Sequence, residues 1–266
     1  MKRNTFIKIK TSGLVLMMIT LLTQTLVFSD EASLQPEYQK WVKSFVAAIS
    51  TNDWKAVSKL VKYLLRRQYP IPDVRNENEL LQRFGQIFDQ DLRAEIVHSS
   101  IAKDWGAVGW RGIMLDSGSL WLDYDGKVIA VNHQSEVEKN LKNELIEKDK
   151  KGLHPLLREF EQPVLICESD KFLIRIDCLK DYEYRYATWP KGSQQSSKPD
   201  LVLKNGKIVS DGSGGNHYFD FKNGDYLYRV YVEVMGSYED PPASLEIYKS
   251  GKLISTQIVT KIQPEP

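Results

Sequence analysis

The sequence predicts an α+β protein: helices and a short antiparallel sheet first, then an all-β sandwich or barrel. Three observations carry this. Between Tyr38 and Val97 apolar residues recur at steps of three and four, the period of an amphipathic helix. Beyond Pro163 the period becomes two, and the turn dipeptides Asn205-Gly206, Asn223-Gly224 and Ser250-Gly251 punctuate it. Between the two regions lies a highly charged stretch, "SEVEKNLKNELIEKDKKGLHP".

The chain opens with Lys2, Arg3, Lys8 and Lys10, followed by the apolar run "GLVLMMITLLTQTLVF" from Gly13 to Phe28. A basic head, a short apolar stretch and small residues at its end make a secretory signal peptide; Val27 and Ser29 fit cleavage after Ser29. Thr20, Thr23, Gln24 and Thr25 interrupt the run, which falls short of the roughly 20 apolar residues a span needs. The expectation is a periplasmic or secreted protein with no membrane span in the mature chain. Losing residues 1–29 removes four positive charges, so 36 basic and 35 acidic residues become 32 and 35, a net charge near −3. That balance argues against nucleic acid as a partner, which favours a basic stripe.

Tyr38, Trp41, Val42, Phe45, Val46 and Ile49 form one face of a first helix. Asn52 is a candidate cap for a second, with the stripe Trp54, Val57, Val61, Leu64 and Leu65. Pro70 and Pro72 then force "YPIPDV" to be extended. Asn76 and Glu79 make the start signature of a third helix with Leu80, Leu81, Phe84, Ile87 and Phe88. A short helix over Leu92 to Val97 follows.

Residues 104–135 read as three strands. A two-residue turn at Asp125-Gly126 pairs Leu122 with Ile129 and Trp121 with Ala130; a turn at Ser117-Gly118 pairs Met114 with Trp121. One face then carries Ile113, Leu115, Leu120, Leu122, Ile129 and Val131. The other carries Trp110, Met114, Trp121, Asp123, Val128, Ala130 and Asn132. A sheet with one wet face alternates apolar and polar. Here both faces are largely apolar, so the tryptophan face is expected to pack on the β region or on a second copy as a homodimer.

The tandem helices "WVKSFVAAISTNDWKAVSKLV", the third helix "NENELLQRFGQIF" and the strands "WRGIML…GSLWLDYDGKVIAVN" resemble, over residues 35–134, the cystatin-like cone superfamily of nuclear transport factor and ketosteroid isomerase. The resemblance implies a cone-shaped domain whose sheet and helices enclose a pocket, used by some members for catalysis and by others for binding.

Ser135 and Glu138 form a capping box that opens a connecting helix with Val137, Leu141, Leu145 and Ile146 as its apolar stripe. The division expected is a signal peptide over 1–29, a cone-shaped domain over 30–134, a charged helix and linker over 135–158, and a β domain over 159–266. Within the last, "PVLICESDKFLIRIDC" reads as a hairpin turning at Ser169-Asp170. That register sets Cys167 opposite Phe172, about 20 Å along the strand from Cys178 at ~3.3 Å per residue, so the two thiols are expected to stay unbonded.

His98, His133, His154 and His217 are scattered without ligand spacing, so neither a metal site nor a cofactor is expected. Asp123, beside Trp121, is the candidate catalytic base. Ketosteroid isomerases work through an Asp in an apolar pocket, and Tyr69 or His133 would then act with it. The plainer reading makes Asp123 a turn-flanking carboxylate. Arg66 and Arg67 follow a helix, where cations suit the dipole, with anion binding as the alternative. The binding candidates are Arg66, Tyr69, Trp110, Arg111, Trp121 and His133. Tyr182, Tyr184, Tyr186 and Trp189 read as core before they read as a glycan patch.

Together these point to a non-enzymatic binding module for a protein, a glycan or a small apolar ligand. The enzyme alternative is a small-molecule isomerase or cyclase using Asp123 in the cone. A purely structural envelope component is a third reading.

Overall fold

In this computed structural model residues 34–237 and 239–264 are described, so the expected signal segment lies outside them. Helix α1, Pro36–Ser50, buries Val42, Phe45 and Ile49 on one face. Helix α2, Trp54–Lys59, is capped by Asp53, whose carboxylate accepts from the Ala56 N–H at 2.9 Å, rather than by Asn52. The stripe from Trp54 to Leu65 is therefore not one helix. After Lys59 the chain becomes extended: Val128 N–H donates to the Leu60 carbonyl at 2.6 Å and Lys62 N–H to the Val128 carbonyl at 2.9 Å. These tertiary hydrogen bonds outweigh a weak helical preference. Helices α3, Glu77–Ile87, and α4, Gln90–His98, start at Asn76 and Asp89, each accepting an amide hydrogen bond at 3.0 Å.

A four-stranded antiparallel sheet follows in sequence order: β1 Trp105–Ala107, β2 Ile113–Leu115, β3 Leu120–Leu122 and β4 Val128–Val131. Met114 pairs with Trp121 and Trp121 with Ala130, as the spacing predicts, while β1 is one strand more than expected. The β3–β4 turn differs. Asp123 N–H donates to the Lys127 carbonyl and Gly126 N–H to the Asp123 carbonyl, so the turn is longer than two residues and a bulge follows. Leu122 therefore pairs with Val128, which enters the core, while Ile129 is half-buried. The helices pack on the other core residues of this face, Ile113, Leu115 and Leu120 among them, in one buried apolar cluster.

Eight further strands form a closed barrel: β5 Gln162–Ser169, β6 Phe172–Cys178, β7 Tyr184–Pro190, β8 Leu201–Ser210, β9 His217–Asn223, β10 Tyr226–Val232, β11 Ala243–Lys249 and β12 Lys252–Gln263. Each is antiparallel to the next, and β12 closes on β5. Both β8 and β12 change partners midway. β12 pairs with β11 up to Ile258 and with β5 from Val259, so the two act as corner strands between two halves of the wall.

Asn205-Gly206, expected as a hairpin turn, lies inside β8 at its bend. Asn205 takes φ +58°, and a Cβ on Gly206 would land on the Phe221 ring. The local αL preference is satisfied by a bulge instead of a turn. Ser250-Gly251 does turn between strands, whereas the β9–β10 turn sits one residue later than expected, at Gly224 and Asp225, because Asn223 pairs with Tyr226. The β5–β6 turn sits at Asp170 and Lys171, because Glu168 pairs with Leu173 and Cys167 with Ile174. Cys167 and Cys178 are nonetheless free and buried. Tyr186 fills the barrel interior with Phe219, Phe221, Val230 and Leu245, whereas Trp189 is buried on the outside.

What covers that outside is helix α5, Glu136–Gly152, with the segment after it. Ser135 caps α5 by accepting from Glu138 N–H at 3.1 Å. Ile146, Leu153, Leu157 and Phe160 pack on Leu173, Ala187 and Trp189. Beside them is a buried ionic cluster. Arg175 donates to Asp177 at 2.7 Å and to Asp149 of α5 at 2.5 Å, and Arg185 donates to Asp177 at 2.5 Å and to the Leu157 carbonyl at 2.7 Å.

Candidate functional site

The bridge between Leu65 and Val74 pins the ends of a loop, residues 66–73. Its arginines differ in exposure. Arg67 is buried, and its Nε donates to Glu138 Oε1 at 2.9 Å and Nη2 to the His133 carbonyl at 3.0 Å. It also bonds Glu138 Oε2 and the Val131 carbonyl. Asp73 accepts from Arg67 N–H at 2.6 Å and lies 3.4 Å from the exposed Arg66 guanidinium. From below, Arg83 donates to the Pro72 carbonyl at 2.7 Å. Backbone, guanidinium and carboxylate together fix this loop, as α5 fixes Glu138.

Three open clefts meet at it. The first, about 480 Å³, runs between Tyr69, Ile71 and Pro72 and the barrel strands at Glu168 and Lys261. A second, about 750 Å³, has Arg66 on one side and the β10–β11 connection at Val234 and Pro242 on another. The third, about 440 Å³, is lined by Arg66, Arg67, Gln68, Asn132 and Gln134. Every one of them includes Arg66 or Arg67. Their charge is mixed: Arg66 and Lys261 face Asp73, Glu168, Glu233 and Asp240. Burial pushes the Tyr69 hydroxyl up to about 12, so it stays a neutral hydrogen-bonding group.

Arg66 and Tyr69 share this loop but line different clefts, Tyr69 the first and Arg66 the second and third. His133 sits beside them: its carbonyl is bonded to Arg67, and its Nε2 lies 2.9 Å from Asp89. The remaining candidates line none of the three clefts. Asp123 belongs to the β3–β4 turn, ion-paired with Lys62 and accepting from Tyr124 N–H at 2.7 Å. The Lys62 hydrogen bond and that N–H hold its carboxyl below the usual range, the reverse of a base raised by an apolar pocket. Trp110, 70% exposed, and Arg111 form a short turn between β1 and β2, with the Arg111 guanidinium 6.0 Å from the Trp110 ring. Trp121 is half-buried between its cross-strand neighbours Met114 and Ala130.

Sequence reasoning missed the barrel side of the clefts, Glu168, Val234 and Lys261. Nothing local marks residues that meet only when a barrel closes. The paired prolines after the double arginine were the one visible signal.

Fold and site define an α+β protein whose eight-stranded barrel is joined through a helix to a helix-and-sheet region, with open, mixed-charge clefts along one pinned loop. No family model, curated protein or solved structure matches the chain. Among the described residues no three His, Cys, Asp or Glu are grouped to hold a metal ion, and no helix is long and apolar enough to cross a membrane.

Proposed function

We propose that this is an exported, non-enzymatic binding protein that holds a protein or glycan partner against residues 66–73. The observation that carries it is the convergence of three clefts on Arg66 and Arg67 in a loop fixed from beneath. A site ordered before its partner arrives loses little entropy on binding. The clefts are open and carry charged groups of both signs, whereas small apolar ligands occupy enclosed apolar pockets; buried apolar side chains cluster in both interiors. A protein or glycan therefore suits the site better than a small apolar molecule.

On this reading residues 35–134 keep the cone-type relationship but use it as a scaffold, with Asp123 a turn carboxylate. Export rests on the basic head and short apolar run of residues 1–29; intact mass of the envelope protein should begin at Asp30. A photo-crosslinking residue placed at Gln68, with Lys222 on the outer barrel wall as the control position, tests the binding site in producing cells. We expect one discrete adduct from position 68 that disappears with Arg66→Glu. Equal labelling from both positions, or none from either, goes against the proposal.

A further inference from the structure

We infer that the partner's bound segment is an extended polypeptide that adds as a strand to the exposed edge of β12; this rests on the binding reading above and narrows it to protein. β12 changes partner at its middle. Its last cross-strand neighbour on β11 is Ser244, opposite Ile258, and from Val259 to Gln263 it is laddered to β5 alone. An antiparallel strand with one neighbour turns alternate N–H and C=O groups outward. Among the described residues no other backbone group bonds to residues 260–263 on that side.

This bare edge forms one wall of the second cleft, through Thr260, Lys261 and Ile262. The facing wall holds Val234, Pro241 and Pro242. Proline has no N–H to donate, so these two residues cannot complete the ladder themselves. The slot thus offers unused main-chain bonds on one side and, on the other, Val234 and the two prolines flanked by Glu233, Ser237 and Asp240. Residues 259–263 span about 17 Å at ~3.4 Å per residue, room for a five-residue segment. Main-chain bonds then supply affinity, and alternate side chains supply selectivity. One set of those side chains meets Val234 and the prolines. Lys261 and Ile262 are shared with the first cleft, so the other set reaches Ile71 and Pro72. The slot sets Glu233 and Asp240 beside Arg66 and Lys261, and these two cations already pair with Asp73 and Glu168, so its charge is mixed. A glycan has no two-residue repeat of donors and acceptors to match such an edge.

The test is a displayed library of random nonapeptides panned on the full chain and on Val234→Trp, which places an indole in the slot at an exposed position. We expect peptides that bind the wild type at least tenfold more tightly than the variant. For an enriched peptide, N-methylation at every second residue should weaken binding tenfold or more, with the interleaved positions tolerant. This second arm does not depend on how the variant folds. Enrichment that ignores Val234→Trp, methylation sensitivity without alternation, or self-association of the chain through this slot would each overturn strand addition. A Gln68 adduct that persists in Val234→Trp would leave the loop as the binding site and remove only the strand.

Discussion

Glu138 shows how far one residue's role can lie from its local pattern. Its backbone N–H is capped by Ser135, as the sequence indicates, yet its fully buried carboxylate pairs with Arg67, 71 positions earlier. Capping is a local rule and legible; the choice of a distant ion partner is not. Removing one member of such a pair strands the other, a cost of about 3–5 kcal/mol. Glu138→Gln should therefore lower stability by that order in urea unfolding, and Arg67→Met with Glu138→Leu should cost less than either single change. Asp123 is the contrasting case. Its pair with Lys62 is solvent-exposed, so its worth is at most about 1 kcal/mol. Because its folded pKa is depressed, that increment is present above the unfolded carboxyl value near 3.9 and is lost as pH falls through the folded value. Asp123→Asn should remove only this acid-side slope from denaturation curves taken between pH 2 and 5. A large loss at neutral pH would mean that the carboxylate has a further partner.

At the scale of elements, the sequence pattern found the starts of α3 and α5, the alternating strand faces and one of the three turn dipeptides. It failed where tertiary hydrogen bonds competed. Residues 60–62 left α2 to pair with β4, and Asn205-Gly206 bent a strand rather than ending one. Both failures have the same origin: a weak local preference, helical at residues 60–62 and left-handed at Asn205, does not decide the tertiary context. Gly206 is the sharpest test. A methyl group there must displace Phe221 at the bend of β8, and overpacking of that kind costs about 1–3 kcal/mol. Gly206→Ala should show this loss in thermal unfolding, and Phe221→Leu in the same chain should recover part of it. An unchanged transition would mean that the bend does not depend on that contact. Arg175, Asp177 and Arg185 were missed for another reason. Alternation assigns such charges to a wet face, and only α5 and Phe160, from outside the strands, make that face dry.

For the whole molecule, helix α5 is tied at both ends, through Glu138 to Arg67 and through Asp149 to Arg175. The sequence left sandwich or barrel open because closure has no neighbourly signal: Thr260 bonds the Glu168 carbonyl 92 positions away. That seam has a consequence in time. Seven of the eight wall contacts join consecutive strands, while β12 on β5 must wait for the strands between to gather, and such distant pairing is what makes all-β folding slow, in milliseconds to seconds. Cys167 stands opposite Ile262 in the closing pair, and burial raises its thiol to about 12 once the wall is complete. In a Cys178→Ser chain, pulsed alkylation during refolding should therefore keep marking Cys167 after far-UV dichroism has levelled. Protection as early as the first hairpins would place closure at the start. The single remaining thiol becomes a stopwatch for the moment the barrel shuts.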